Sequence, residues 1–325
     1  MTAKSIKGNS TEEIKEALEH AIAYNFKPTL AIVFISIKQD RKAIVELLNK
    51  EGIDILGATS CGEFINGEQD EGSAVILLLD IKKEYYTILF EAIGDKNLNN
   101  VASGLAQAAS NKFKKPAFIL CSTGVSAKGE IFSGDVLIRN LETTLGRDVK
   151  VYGGMAGDDG SFTGSYVFTN ENETDIGVAA LVLDEEKIEL FGMAISGWKS
   201  IGISRTVTKS EGSWIYTIDD LPALEMYMKY LGTDSQSLET KYQIMGDVGM
   251  HYPFLVEGMN DPVMRTPMTV DNEKNALQID FEMPVGTKFK FSVPPDFDIV
   301  ENVLEKATEL KNESKVDADA LLIFS

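Results

Sequence analysis

The chain passes twice through the same series of events, an apolar strand delivered into a glycine-rich turn, and this duplication limits its fold more than any other feature. The first turn reads Gly57-Ala58-Thr59-Ser60-Cys61-Gly62-Glu63 and the second Gly153-Gly154-Met155-Ala156-Gly157-Asp158-Asp159. Glycine admits positive φ and close backbone approach, so such a turn either lets two backbones cross tightly or cradles a small ligand. Both readings stay open for a single turn. The repetition is what draws attention to the pair.

The elements around the turns repeat as well. From Ser10 to Tyr24, apolar residues recur at Ile14, Ala17, Leu18, Ala21 and Ile22, and Ser10 with Glu13 has capping-box spacing, which predicts an amphipathic helix. Pro28 precedes Leu30–Ile35, a continuous apolar run expected as a strand buried on both faces. A second helix fits Arg41 to Lys50, and Ile53–Leu56 leads into the first turn. Two strands, Ala74–Asp80 and Tyr85–Phe90, follow, with Lys82-Lys83-Glu84 as the turn between them. The order then begins again with a helix marked by Val101, Leu105 and Ala108. It continues through the strand Pro116–Cys121, a helix over Asp135–Leu145, and Val149–Tyr152 running into the second turn. Strands Gly177–Asp184 and Ile188–Ile195 complete it. This predicts a helix–strand–helix–strand–turn–strand–strand unit over 10–97 and again over 98–197, with small loop insertions in the second copy. A third copy begins at Val303–Ala307, with Asp298 and Glu301 at capping spacing, and runs into Ala320–Ser325 as a strand.

Between the second and third copies, Trp198 to Pro295 has a different texture. It carries a helix at Leu221–Leu231, a Gly/Met-rich stretch from Met245 to Met259, and strands at Leu277–Phe281 and Lys288–Phe291, which Pro284-Val285-Gly286 is expected to join as a hairpin. The expected fold class is α/β (α+β), a duplicated unit forming mixed sheets flanked by helices, with a second, smaller module. The boundary is placed near residue 218, giving modules 1–218 and 219–325.

Composition narrows the function. At 325 residues, 44% hydrophobic and 25% charged, the chain is ordinary globular material with room for two domains. Its net charge of −19 repels nucleic-acid phosphates and anionic membrane surfaces, so neither is an expected partner. No apolar run approaches the ~20 residues of a membrane-spanning helix, and Met1–Lys7 lacks the apolar core of a signal peptide, so the expected location is cytoplasmic. Two cysteines are too few for a disulfide framework. No phosphate-binding loop is present, and Asp261, Asp271 and Glu273 lack calcium-loop spacing and read as solvated surface.

Taken in order, these pieces resemble the FIST family, named for F-box and intracellular signal transduction proteins, over nearly the whole chain. Gly57–Glu63 is similar to the family's Gly-x-Thr-x-x-Gly-Glu turn and Gly153–Asp159 to its Gly-Gly-x-Ala-Gly-Asp turn. The second half resembles the C-terminal module through Leu221-Pro222-Ala223, Tyr227, Tyr230-Leu231-Gly232, Tyr252-Pro253-Phe254, Arg265 and Pro284–Thr287. The resemblance implies a sensory role. A small ligand, with amino acids and related metabolites proposed for the family, would be bound and the change relayed to a signalling protein partner. Family members continue beyond the strand matching Leu321–Ser325, so the second module is expected to be incomplete at its end. Some members are reported to bind haem.

The candidate ligand-binding residues are therefore Gly57, Thr59, Gly62, Glu63, Gly153, Gly154, Gly157, Asp158 and Asp159. Their carboxylates suit an ammonium group, and Arg265 suits a ligand carboxylate. Three alternatives stand beside this one. A nucleophile at Cys61 or in Cys121-Ser122-Thr123-Gly124 would need a base, and only His20 and His251 are on offer. Haem, held without a covalent attachment motif, would take His251 as axial ligand in a pocket lined by Met245, Met250 and Met259. A ligand-free interaction scaffold is the third. No resident cofactor or metal is expected otherwise.

Overall fold

A computed structural model describes residues 1–94, 96–130, 132, 134–146, 148–232, 248–257 and 263–325. The chain divides into two units, Met1–Gly192 with Ser314–Ser325, and Met193–Glu313.

In the first unit, β1 (Thr2–Gly8) precedes α1 (Thr11–Ile22), β2 (Leu30–Ser36), α2 (Arg41–Lys50) and β3 (Asp54–Ser60). A small hairpin of β4 (Glu63–Ile65) and β5 (Glu68–Asp70) leads to β6 (Ala74–Asp80). The second copy runs through β7 (Tyr86–Ala92), α3 (Leu98–Lys112), β8 (Pro116–Ser122), α4 (Gly134–Leu145), β9 (Val151–Met155), β10 (Val167–Phe168), β11 (Glu173–Thr174) and β12 (Gly177–Asp184). Helix α1 starts where the sequence places it. The Ser10 hydroxyl accepts the Glu13 N–H at 3.2 Å while the Glu13 carboxylate accepts the Asn9 N–H at 2.8 Å, satisfying two donors that a helix N-terminus leaves over.

Two mixed sheets result, in the orders β1-β6-β2-β3-β10-β11 and β7-β12-β8-β9. Ile14, Leu18, Ile44 and Leu48 of the first helix pair pack on one face of the first sheet, and Val101, Leu105, Leu137 and Leu141 pack on the second. The remaining faces meet each other through Leu30, Ile32 and Leu56 on one side and Ile119, Cys121 and Leu181 on the other. Helix, sheet, sheet, helix is the layering, and it explains why β2, β8 and β12 read as unbroken apolar runs.

The pairing moves the frame of the copies by one strand. Tyr86–Ala92 does not close the first copy: it pairs antiparallel with β12 just as β1 pairs with β6, so each copy opens on a strand. The second copy also returns two strands to the first, since β10 pairs with β3 and carries β11 with it. The link before β7 contains a short 3-10 turn, Lys83–Tyr85.

Two expected strands do not form. Ile188–Ile195 and Ala320–Ser325 have no ladder partner among the described residues, and Ile188 closes a turn by donating its N–H to Asp184 O at 2.9 Å. Ile188 and Leu190 of the first, and Ala320, Leu322 and Phe324 of the second, still pack on the inter-sheet core, with the Phe324 ring edge-on to Phe34 at 5.6 Å. Alternate apolar residues found a surface to cover, but no backbone to pair with.

In the second unit, β13 (Lys199–Glu211), β14 (Trp214–Ile218) and β15 (Leu221–Pro222) precede α5 (Ala223–Tyr230), followed by β16 (Phe254–Val256), β17 (Val263–Arg265), β18 (Pro267–Asp271), β19 (Ala276–Ile279), β20 (Lys288–Val293) and α6 (Ile299–Ser314). The sheet order is β17-β16-β20-β13-β14-β19-β18, with β15 on β14. The expected hairpin across Pro284–Gly286 is therefore absent: β19 and β20 are separated by β13 and β14. The turn is stitched to β13 instead, by Gly286 N–H to Val207 O at 2.8 Å and Val207 N–H to Thr287 O at 3.0 Å. Tyr227, Phe254, Phe289 and Phe291 form the aromatic centre of this unit. Among the described residues, no helix is long and apolar enough to cross a membrane.

Candidate functional site

The two turns meet. Each expected turn begins inside a strand, Gly57–Ser60 ending β3 and Gly153–Met155 ending β9, and because β3 runs parallel to β2 and β9 to β8, the residues that follow emerge at the C-terminal edges of the two sheets. Thr59 is the seam between them. Its hydroxyl donates to Gly157 O at 2.6 Å and accepts the Tyr166 N–H at 2.8 Å, its carbonyl accepts the Gly157 N–H at 2.9 Å, and its own N–H donates to Tyr166 O at 2.9 Å. The Asp159 N–H adds a bond to Ser60 O at 3.3 Å.

Close approach accounts for Gly57, Gly153 and Gly157; at Gly153, whose φ is 149°, a Cβ would lie 1.9 Å from Leu120 O of β8. A Cβ on Gly157 would lie 2.9 Å from both the backbone N and the Cβ of Cys61, so the two turns could not sit this near with any larger residue. A Cβ on Gly57 would fall 2.2 Å from the ring of Phe168, which covers that face of β3 and is itself buried. Gly62 closes the first turn, and Gly153 and Gly154 lie on β9, where the Phe324 ring rests against Gly154.

The carboxylates divide into two that are spent internally and one at the rim. Glu63 is buried and accepts from the Ser60 hydroxyl at 2.5 Å, the Ser73 N–H at 3.0 Å and the Ser73 hydroxyl at 3.2 Å. Asp158, also buried, accepts the Thr163 N–H at 2.6 Å and the Gly164 N–H at 3.1 Å, so it folds the loop after the turn onto itself. Burial alone would raise its pKa, but the N–H groups of Gly164, Thr163 and Phe162, with the Ser161 hydroxyl, outweigh it and hold the carboxyl below its ordinary value.

Asp159 is different. It adopts a left-handed φ of 55°, and its carboxylate accepts the Ser36 hydroxyl at 2.7 Å and lies 3.3 Å from the Lys38 ammonium. The Asp159 side chain is 11% exposed and the Lys38 side chain 69%, so one partner is anchored and the other is free to swing. Ser36 ends β2, and neither it nor Lys38 carries a motif. Only the parallel pairing of β2 with β3 brings them to the turns.

The other candidates lie elsewhere. Arg265 ends β17 in the second unit, with its guanidinium 5.0 Å from the Phe281 ring centroid and one N–H bonded to Met264 O at 3.1 Å. His251 is exposed, its carbonyl accepting the Trp198 indole N–H at 2.9 Å, and Met250 is exposed as well. Met245, Met259 and Asp261 lie outside the described residues. Cys121 is buried in the inter-sheet core and its thiol is pushed up to about 12 by that burial. Cys61 is raised too, by partial desolvation and then by the nearby carboxylates of Asp159, Asp158 and Glu63. Both shifts run against nucleophilic activation. Among the described residues, no group of three or more acidic, His or Cys side chains is arranged to hold a metal ion.

Neither of two grooves, of about 740 and 580 Å³, is lined by residues of the turns: one lies beside β1 and α1, with Lys4, His20 and Tyr24 in its wall, and the other is at Glu257 and Lys288 of the second unit. The turns thus form a packed junction with a polar rim.

Comparison with known proteins agrees with this architecture. An uncharacterized protein of Methanocaldococcus jannaschii is 26% identical over 243 residues, which is 67% of this chain, and the chain spans 44% of that protein's length. The FIST N domain profile matches residues 29–221 and the FIST C domain profile residues 223–325. With nearly the whole chain accounted for in the order that the duplicated turns require, the protein belongs to the FIST family, whose domains are associated with sensory roles in signal transduction.

Proposed function

We propose that the first unit senses a small zwitterionic metabolite, an amino acid or a close relative, at the rim where the two turns meet, and relays the bound state to a protein partner. The observation that carries this reading is the Asp159–Lys38 pair. An anchored carboxylate and a swinging ammonium, 3.3 Å apart, are the complement of an α-amino acid's own two charges. Opening the pair for the ligand costs little, because an ion pair with one exposed partner contributes only about 0–1 kcal/mol. The ligand's ammonium would then take the place of Lys38 on Asp159 and Ser36, and its carboxylate would face the displaced Lys38.

The relay follows from the stitching. Asp159 N–H bonds to Ser60 O, and Gly157 bonds twice to Thr59, so a shift at Asp159 moves both turns together. A ligand that favours one arrangement shifts the population only by its difference in affinity for the two.

A thermal-shift screen of the full chain against the amino acids and small carboxylates tests this. At least one amino acid should raise the melting temperature, and Asp159→Asn and Lys38→Met should each abolish the rise. Shifts that survive both substitutions would move the site away from the rim. No shift with any compound would favour the interaction scaffold.

A further inference from the structure

The segment that carries Lys38 also opens α2, and it holds a guanidinium with an unused edge. Gln39 N–H bonds to Ser36 O at 3.1 Å and Arg41 N–H to Gln39 O at 3.1 Å, so Ser36, Lys38 and Arg41 share one tight connection between β2 and α2. The Lys38 N–H bonds to the Ser36 hydroxyl at 3.1 Å, the same hydroxyl that donates to Asp159. From the other side, the Arg41 guanidinium lies 4.2 Å from the centroid of the Tyr166 ring, and Tyr166 bonds to Thr59 through both its N–H and its carbonyl. Arg41 is thus tied to both parts of the rim, the connection bearing Ser36 and Lys38 and the seam at Thr59.

The contacts that hold this side chain leave most of its donors unengaged. Arg41 Nε donates to the Glu173 carboxylate at 2.8 Å, the Tyr166 ring covers one face, and the side chain is only 16% exposed. The two Nη groups carry four further N–H donors. Among the described residues none accepts from them, and neither Nη is sealed from solvent. Helix propensity does not account for an arginine here either. Arg41 and Lys42 are the first two residues of α2, whose first turn has no acidic residue, whereas the positive end of a helix dipole disfavours cations. The intervening Asp40 is engaged, its carboxylate accepting the Ala43 N–H at 3.0 Å. In a chain of net charge −19, Lys38, Arg41 and Lys42 therefore gather positive charge beside the rim. A guanidinium held in place with its Nη edge open to solvent suits a carboxylate through two parallel bonds.

We propose that Arg41 is the specificity-determining residue of the rim and that the ligand it selects is an acidic amino acid. The ligand's ammonium goes to Asp159 and Ser36 and its α-carboxylate to Lys38, while a second carboxylate, on the side chain, is received by the Nη edge of Arg41, three residues further along the same connection. Arg265, the arginine expected to meet a ligand carboxylate, belongs to the second unit. This inference rests on the site proposed above and adds to it the chemistry of the ligand's side chain.

The test measures dissociation constants on the full chain, by isothermal titration calorimetry, for two pairs of near-isosteric ligands: glutamate with glutamine, and aspartate with asparagine. At least one acid should bind about tenfold or more tightly than its amide. Arg41→Met should remove that preference by weakening the acid alone, and Arg41→Lys, which keeps the charge without the fork, should retain only part of it. Glu173→Gln keeps an acceptor for Nε and should leave the preference in place, which separates recognition from the ion pair that holds the side chain. The ligand pairs read out on the unaltered protein, so a poorly folded Arg41 variant does not decide the matter. Amides bound as tightly as the acids, no binding of either acid, an Arg41→Met variant that weakens acid and amide equally, or a preference lost as fully in Glu173→Gln would each overturn the proposal. A preference that disappears in Arg41→Met and survives in Asp159→Asn would keep Arg41 and refute the Asp159 site. Amino acids bound through Asp159 with no preference for the acids would refute Arg41 alone.

Discussion

Asp158 offers the sharpest energetic test of how the turns are held, because its role is separable from ligand binding. The residue is 5% exposed, and its carboxylate accepts two backbone N–H groups, at 2.6 Å from Thr163 and 3.1 Å from Gly164. Hydrogen bonds to a charged acceptor contribute roughly 1.5–3 kcal/mol each, and removing the acceptor strands the donors. Discounting for water reaching part of the vacated loop, Asp158→Ala should cost about 3 kcal/mol, and Asp158→Asn, which keeps an oxygen acceptor but loses the charge, about half that. The pH dependence has a fixed sign. A carboxyl whose folded pKa lies below its unfolded value of about 3.9 stabilises the fold above that value, and the contribution is lost as pH falls through the folded pKa. Wild type should therefore lose more stability than Asp158→Asn between neutral pH and about pH 3. The assay must report on the first unit. Both tryptophans, Trp198 and Trp214, lie in the second unit, so urea unfolding should be followed by hydrogen exchange of β3 and β9 amides and not by tryptophan fluorescence. A loss under about 1 kcal/mol for the alanine variant, or equal acid sensitivity of wild type and Asp158→Asn, would refute the reasoning.

Other consequences are open to simpler experiments. Gly57→Ala drives a methyl into the Phe168 ring and should destabilise by about 1–3 kcal/mol, a cost that should nearly vanish in a Phe168→Ala background, as a double-mutant cycle by chemical denaturation would show. Iodoacetamide should label Cys61 slowly and leave Cys121 untouched in the folded protein, with mass spectrometry as readout. Asp159→Asn should speed the labelling of Cys61 at mildly alkaline pH by removing a carboxylate that holds its thiol up. In the second unit, the buried Tyr227 hydroxyl donates to Tyr252 O at 3.0 Å, so Tyr227→Phe should cost about 1–2 kcal/mol by tryptophan-monitored unfolding.

Periodicity made most of the first unit legible. The helices α1 to α4 and the strands β2, β6, β8 and β12 lie where apolar spacing and the prolines put them, since burial on one or both faces writes itself directly into the residues, whereas β3 and β9 run on through Gly57–Ser60 and Gly153–Met155, which read as turns. What it does not write is which strand pairs with which. Tyr86–Ala92 has the same alternation whether it closes one copy or opens the next, and only the ladder with β12 decides. Strand β13 is weakly marked, because most of its residues are exposed and its alternation is confined to Ile201, Ile203 and Val207 with Gly202 between the first two. The turns themselves were conspicuous, but their chemistry was not. Glu63 and Asp158 read in the sequence as ligand groups, whereas in the fold Ser60, Ser73 and the Thr163–Gly164 loop occupy their oxygens. The rim pair at Asp159 needed Ser36 and Lys38, distant in sequence and unmarked by any motif.

That rim pair carries the central claim, and hydrogen exchange with and without a stabilising amino acid tests it most directly. If the two turns respond as one element, peptides covering Gly57–Glu63 and Gly153–Gly160 should gain protection together in wild type and in neither place in Asp159→Asn. Protection confined to one turn, or unchanged by the substitution, would contradict a shared site at Asp159.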